Sequence, residues 1–289
     1  MYFVYQFKKA EDPKGLTEAL WHHKVAHQII SEQGHNELWV LDPSQRPTVD
    51  QLMAIWKDDP SLLEQTRPVL TSSSVSKSRF FTQLTLAPVT AGLLIVTLLV
   101  AVVTKLGSDL TMVGYLSITP FDIKNGHIYF YTLSEVFSKG EYWRLFTPTL
   151  LHFSVLHIVF NTLWIWDIGR RIERQLGSIL WSVGVLIIAI MSNVLQYEIS
   201  GYPLFGGLSG VVYGVIGFAW LLPLLNKRWP IIISKQLMIF FIVWLAVGYT
   251  PFPEMLGLGS IANTAHSIGL LTGLALGVVY WVATKHRQR

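Results

Sequence analysis

The feature that most constrains this chain is a series of long stretches without a charged residue. Twenty-five uncharged residues lie between Arg79 and Lys105, and further charge-free runs cover 145–166, 175–197, 199–226, 236–253 and 255–284. A helix needs about 20 largely apolar residues to cross the hydrocarbon of a bilayer, and helices satisfy their own backbone hydrogen bonds there. The runs predict spans at about 83–104, 154–172, 177–196, 209–225, 232–248 and 262–283. Six helices is the most economical count, so the expectation is an all-α polytopic membrane protein.

The charged residues are unevenly placed. They make up 14% of the chain, against about 25% in a soluble globular protein. Residues 1–79 hold 19 of the 40, as 9 basic and 10 acidic side chains. That reads as a small soluble domain ahead of a membrane domain, with no basic surface for nucleic acid. The chain has no cysteine, which excludes a disulfide scaffold, thiolate metal sites and a cysteine nucleophile.

Within the N-terminal part, Met1–Gln6 reads as a short strand rather than a signal peptide. Leu16, Ala19, Leu20 and Trp21 follow in helical spacing after Asp12-Pro13. Val25–Ile30 and Glu37–Leu41 read as strands around the turn signal Gln33-Gly34-His35-Asn36, and Thr48 to about Trp56 as a second helix. The pattern is a βαββα, α+β cytosolic domain over 1–66. A Ser-rich linker at 67–79 and the membrane domain at 80–289 follow, the latter with a long loop at 105–142.

Lys and Arg set the orientation. The short loop expected after the second span has Arg170, Arg171 and Arg174, the loop after the fourth has Lys227, Arg228 and Lys235, and the tail has Lys285, Arg287 and Arg289; the opposite short loops, near Glu198 and Glu254, have none. This places both termini in the cytoplasm and the 105–142 loop outside.

Three of the expected spans carry polar groups near their outer ends. Ser209 follows Phe205-Gly206-Gly207-Leu208 at the start of the fourth. A serine there can serve close helix packing. It can equally be a nucleophile at a helix N-terminus, where the flanking Gly207 and Gly210 and the bare N–H groups suit a developing oxyanion. His266, in the sixth span, is either a hydrogen-bonding strut or the base that such a serine needs. Both residues fall within about 8 Å of the interface at about 1.5 Å rise per residue. No Asp or Glu shares their layer, which favours a Ser–His dyad over a carboxylate triad. His157 and Asn161, spaced i and i+4, share one face of the second span, as interhelical hydrogen bonders or as oxyanion donors. His152 reads as a loop or interfacial residue. Gly269, Gly273 and Gly277 form a close-approach face on the sixth span.

Trp143-Arg144, His157-Ile158-Val159-Phe160-Asn161, Gly207-Leu208-Ser209-Gly210 and Ala265-His266-Ser267-Ile268-Gly269 together resemble a rhomboid intramembrane serine protease. The resemblance covers about residues 80–285, and the layout is similar to the bacterial GlpG type. It implies Ser209 as nucleophile, His266 as general base, and His157, Asn161 and the Ser209 N–H as oxyanion hole. It also implies that Tyr213, otherwise a plain packing aromatic, packs against the histidine. Glu173 and Gly177 resemble a family ExxxG element, read as a hydrogen-bonded cap, and Trp143-Arg144 reads as an anchor for the outer loop. Neither metal nor cofactor is implied; the partners are transmembrane protein substrates and the lipid bilayer. The implied location is a bacterial inner membrane, with the active site opening to the periplasmic side and the Gly- and Pro-rich 249–261 segment as a mobile cap. The alternatives are a transporter or channel using the same polar groups, against which no internal repeat is visible, and a noncatalytic membrane-protein-binding factor of rhomboid-like fold.

Overall fold

The computed structural model describes residues 1–8, 11–32, 35–66, 84–255 and 261–285. The expected linker at 67–79, the turn residues Gln33 and Gly34, the basic tail residues Arg287 and Arg289, and 256–260 of the expected cap lie outside the described residues. The chain divides into two compact units, Met1–Phe80 with Asn226–Pro230, and Phe81–Leu225 with Ile231–Arg289.

The first unit contains β1 (Tyr2–Phe7), α1 (Lys14–His22), β2 (His27–Glu32), β3 (His35–Val40) and α2 (Arg46–Asp58). The three strands form one antiparallel sheet in the order β1-β3-β2. Leu16 and Leu20 of α1 and Val49 and Leu52 of α2 close one core with Phe7, Leu38 and Val40 of the sheet. The helical and alternating periods of the sequence lead to this packing, in which each element contributes its apolar side to a shared interior.

In the second unit the elements are α3 (Pro88–Val103), α4 (Leu110–Leu116), β4 (Phe121–Lys124), β5 (His127–Phe130), α5 (Leu133–Ser138), α6 (Val155–Trp164), α7 (Arg170–Leu176), α8 (Ser178–Ser200), α9 (Ser209–Leu225), α10 (Lys235–Gly248), α11 (Phe252–Met255) and α12 (Asn263–Thr284). Among the described residues, α8 and α12 are long and apolar enough to cross a membrane, while α3, α9 and α10 are shorter apolar helices. The packing is that of a lipid-embedded bundle. Helix α9 is buried on every side from Gly210 to Ala219. Its neighbours bury one face and expose large apolar side chains on the other, such as Leu99 and Val102 of α3, Phe160 of α6, Ile179 of α8 and Val279 of α12. Apolar surface of that extent suits hydrocarbon, not water.

Helices α9 and α12 meet backbone to backbone. A Cβ on Gly269 would overlap the Gly210 carbonyl, and one on Gly273 the Gly214 carbonyl. The two helices therefore run parallel along the glycine face expected on the sixth span.

Two segments differ from the sequence-based expectation. The basic residues Arg170, Arg171 and Arg174 are not in a loop: the helix continues from α6 through a π-turn at Ile165–Gly169 into α7, and Gly177 alone, at φ 79°, joins α7 to α8. Arg171 reaches back to Asp167 at 2.6 Å, an i, i+4 pair that helical continuity permits. The 105–142 region is not a plain loop either. It folds into α4, the β4–β5 hairpin and α5, with Asn125 and Gly126 both at positive φ (53° and 78°), the geometry of a two-residue hairpin turn.

The polar residues of this unit brace helix ends. The buried Glu173 carboxylate accepts from the Val89 and Thr90 N–H groups and the Thr90 and Ser178 hydroxyls at 2.7–2.9 Å. It is a cap, as its sequence context suggests, but for the starts of α3 and α8 rather than for its own helix. Arg144 is buried and donates to the Gly114 and Ser117 carbonyls and to Glu141, which fastens α4 to the chain leading into α6.

Candidate active site

Ser209 is the first residue of α9, reached through irregular backbone at Gly201–Leu208. Non-helical backbone at membrane depth is tolerated where protein encloses it, and here Phe205 and Leu208 are buried. Gly207 N donates to the Pro148 carbonyl at 3.0 Å. Two glycines are required by space as well as by turn geometry. Gly207 has φ 125°, and a Cβ on it would lie 2.6 Å from Cε1 and Nε2 of His157. A Cβ on Gly206 would lie 2.6 Å from Leu151 Cβ. The turn is thus pressed against the first turn of α6, where His157 sits with its N–H capped by Ser154 Oγ at 3.2 Å. Asn161 Nδ2 is 3.6 Å from the same Cβ position on Gly207.

His266, in the first turn of α12, brings Nε2 to 2.7 Å from Ser209 Oγ. The imidazole is 6% exposed. Its ring stacks on that of Tyr213, one turn along α9 from Ser209, with centroids 4.8 Å apart and planes at 24°. Tyr213 is held in turn by its hydroxyl, which donates to the Phe241 carbonyl at 3.2 Å. Among the described residues no Asp or Glu hydrogen-bonds His266, and no group of three or more His, Cys, Asp or Glu side chains is arranged to hold a metal ion.

The sequence-based site residues Ser209, His266, His157, Asn161, Tyr213, Gly207 and Gly210 therefore converge from three helices. Gly210 makes room for its neighbours: its missing Cβ would lie 2.9 Å from Ser192 Cβ and 3.3 Å from the Ala265 carbonyl.

Two further residues belong to this region. His152 lies outside the helices, as the sequence suggests, but not near the surface as expected: it is 0% exposed, and its ring lies 4.8 Å from that of His157. Its Nδ1 pairs with the Leu150 carbonyl at 3.1 Å and its Nε2 with Asn161 Nδ2 at 3.1 Å. A carbonyl only accepts, so Nδ1 carries the proton and Nε2 accepts from the Asn161 amide. His152 thereby fixes which end of the Asn161 amide faces it. The second residue is the buried Gln196, whose Oε1 accepts from Ala265 N at 2.8 Å. Neither could be found from motif spacing; an amide within an apolar run was the one available signal for Gln196, since such groups seldom lie in a span without a partner.

Chemically, the arrangement offers a hydroxyl beside a ring nitrogen able to take its proton, at the N-terminus of a helix whose free N–H groups favour negative charge. A family profile described as Rhomboid domain matches residues 139–283, which span the chain from before α6 to the end of α12. The match covers half of the chain and takes in every site residue named above; the chain belongs to the rhomboid family, whose activity is that of membrane-embedded serine proteases.

Proposed function

We propose that this protein is a serine endopeptidase that cleaves transmembrane segments of other membrane proteins through a Ser209–His266 dyad. The observation that carries the reading is the 2.7 Å approach of His266 Nε2 to Ser209 Oγ at the start of α9. In the mechanism, His266 accepts the Ser209 proton as Oγ attacks the scissile carbonyl carbon. The oxyanion receives hydrogen bonds from the Ser209 N–H and from His157 and Asn161. As the tetrahedral intermediate collapses, the C–N bond breaks and His266 protonates the departing amine. Water then attacks the acyl-enzyme, His266 taking its proton and returning it to Ser209. The route uses serine, histidine and water alone.

Six helices spanning the bilayer, a soluble domain over 1–66 and both termini in the cytoplasm complete the proposal, in the manner of the GlpG type in a bacterial inner membrane with the site open to the periplasm. Helical peptide bonds are shielded by their own hydrogen bonds, so a substrate needs a locally unwound segment. The test is cleavage of a fluorescently labelled transmembrane substrate by the purified full chain in liposomes. Cleavage by the wild type, lost in Ser209→Ala and lowered by roughly 10²–10⁴-fold in His266→Ala, supports the proposal. Cleavage that survives Ser209→Ala, or solute flux without cleavage, overturns it.

A further inference from the structure

Helix α12 starts without a cap of its own. Its N-cap residue is Ala262, whose side chain offers no acceptor, although His266 stands in the first turn. Ser, Thr, Asp or Asn at that position would satisfy one of the open N–H groups and hold the turn. Here the neighbouring helices hold it instead. Gln196 of α8 supplies one contact, accepting from Ala265 N. The others come from the end of α10.

Asn263 donates its side-chain amide to the carbonyl of Gly248, the last residue of α10. Tyr249, the next residue, places its hydroxyl 3.1 Å from the Asn263 carbonyl and 2.8 Å from Ser267 Oγ. A phenol has one proton and a carbonyl only accepts, so Tyr249 donates to Asn263 and Ser267 donates to Tyr249. Serine and threonine within a helix commonly turn the hydroxyl back to the carbonyl four residues earlier. Thr272 and Thr284 of α12 do so, to Ile268 and Tyr280. Ser267 does not: the carbonyl four residues before it is that of Asn263, which Tyr249 uses. Tyr249 is 60% exposed, so packing does not account for where its phenol lies; the two hydrogen bonds do.

A further contact makes α10 the support of the histidine. Tyr213, on which His266 stacks, is held by the Phe241 carbonyl. Phe241 and Tyr249 are eight residues apart, about 12 Å along a helix at about 1.5 Å per residue. The platform beneath the imidazole and the turn that carries it are therefore fastened to the same helix.

We propose that Tyr249 is a positioning residue for the proteolysis proposed above: its hydroxyl, bridging Asn263 and Ser267, fixes the first turn of α12 so that His266 Nε2 stays within hydrogen-bonding reach of Ser209 Oγ. The proposal rests on the reading of those two residues as a dyad. Tyr249 acts through the backbone of α12, and loss of its hydroxyl leaves His266 present but less often in place.

The test compares the wild type, Tyr249→Phe, Ser267→Ala, Ser267→Thr and the Tyr249→Phe/Ser267→Ala double variant, each as the full chain in liposomes and below its unfolding midpoint. A small fluorophosphonate reports the activation of Ser209, and a labelled transmembrane substrate gives kcat and KM. Misplacing a catalytic group by about 1 Å can cost about 10²-fold. The expected loss in Tyr249→Phe is roughly 10-fold, equal for labelling and for kcat, with KM unchanged. Ser267→Ala spares the Asn263 bond and is expected to lose less. Ser267→Thr is expected to match the wild type, and the double variant to match Tyr249→Phe, since Ser267 acts through the phenol alone. The proposal is overturned if Tyr249→Phe labels as fast as the wild type, including the case in which KM alone rises, which makes Tyr249 a contact for substrate entry. It is equally overturned if the double variant falls by the product of the two single losses. A wild type that forms no Ser209 adduct, or an adduct that forms as fast in His266→Ala, refutes the dyad and the proposal with it. Labelling that depends on His266 but not on the Tyr249 hydroxyl refutes the proposal alone.

Discussion

The side-chain oxygen of Gln196 accepts the backbone N–H of Ala265 at 2.8 Å, one residue before His266. A carboxamide on α8 thus satisfies one of the N–H groups left open at the start of α12, and it does so in a buried setting where that group has no water. Replacing Gln196 by Leu leaves the Ala265 N–H without an acceptor, at a cost of about 1–3 kcal/mol. The expected result is a lowered unfolding midpoint in detergent. Gln196→Glu keeps an acceptor oxygen, so its midpoint is expected to lie above that of Gln196→Leu; the reverse order contradicts the capping role.

The α9–α12 contact has no room for a methyl group. Gly273→Ala places a Cβ on the Gly214 carbonyl, so the helices must separate, and overpacking of this kind costs about 1–3 kcal/mol or more. Loss of cleavage and of stability are expected together, because separating α12 from α9 carries His266 away from Ser209. Gly92 and Gly184, whose Cβ positions meet nothing within 4 Å, are the controls. Alanine at either is expected to leave both measurements unchanged.

At the proposed oxyanion site, Asn161→Ala is expected to lower kcat by roughly 10²–10³-fold, the loss typical of one oxyanion donor. His152→Ala, which frees the Asn161 amide without removing it, is expected to give a smaller fall in kcat with KM nearly constant. Gly207→Ala is expected to be as damaging as loss of the nucleophile, since its φ of 125° strains any L residue and its Cβ displaces His157. Steady-state kinetics on one labelled substrate rank all three.

Acidification is expected to loosen the loop that carries the hairpin before it unfolds the bundle. Backbone and hydroxyl hydrogen bonds from Thr132 hold the Glu135 carboxyl below its ordinary range, and the Tyr131 hydroxyl and Lys124 do the same for Asp122. Both folded values are depressed. Their stabilisation is therefore complete above the ordinary carboxylate pKa and is lost as pH falls through the lower folded value. Amide hydrogen exchange, corrected for its intrinsic pH dependence, should show protection over 121–138 decreasing in that acidic window. Thr132→Ala should reduce the protection at neutral pH already. Constant protection in both cases contradicts the sign.

The polar residues that converge on Ser209 are legible because each stands toward the outer end of an expected span, where helical rise alone sets depth. The glycine face of α12 was legible for the same reason: a period of four on a helix names a surface without knowledge of the partner. His152 was not, because it lies on a turn between helices, and only the path of that turn decides whether it points inward. The hairpin was missed because strands of four residues are too short for alternation to stand out, although Asn125-Gly126 between them was a usable turn signal. Glu173 was recognised as a cap, yet its partners Val89 and Thr90 lie more than 80 residues away in the chain, a pairing that local pattern cannot supply. The sequence suggests a loop at Arg170, Arg171 and Arg174 because those charges mark a membrane boundary, but a boundary does not oblige a helix to end, and the helix here is unbroken.

The central claim is that His266 activates the Ser209 hydroxyl. Its most direct test is covalent labelling of the full chain in liposomes by a fluorophosphonate, with the adduct mapped by mass spectrometry. One adduct is expected, on Ser209 Oγ, absent in Ser209→Ala and formed at least about 10²-fold more slowly in His266→Ala. Labelling on another serine, or labelling of Ser209 at an undiminished rate without His266, would contradict it.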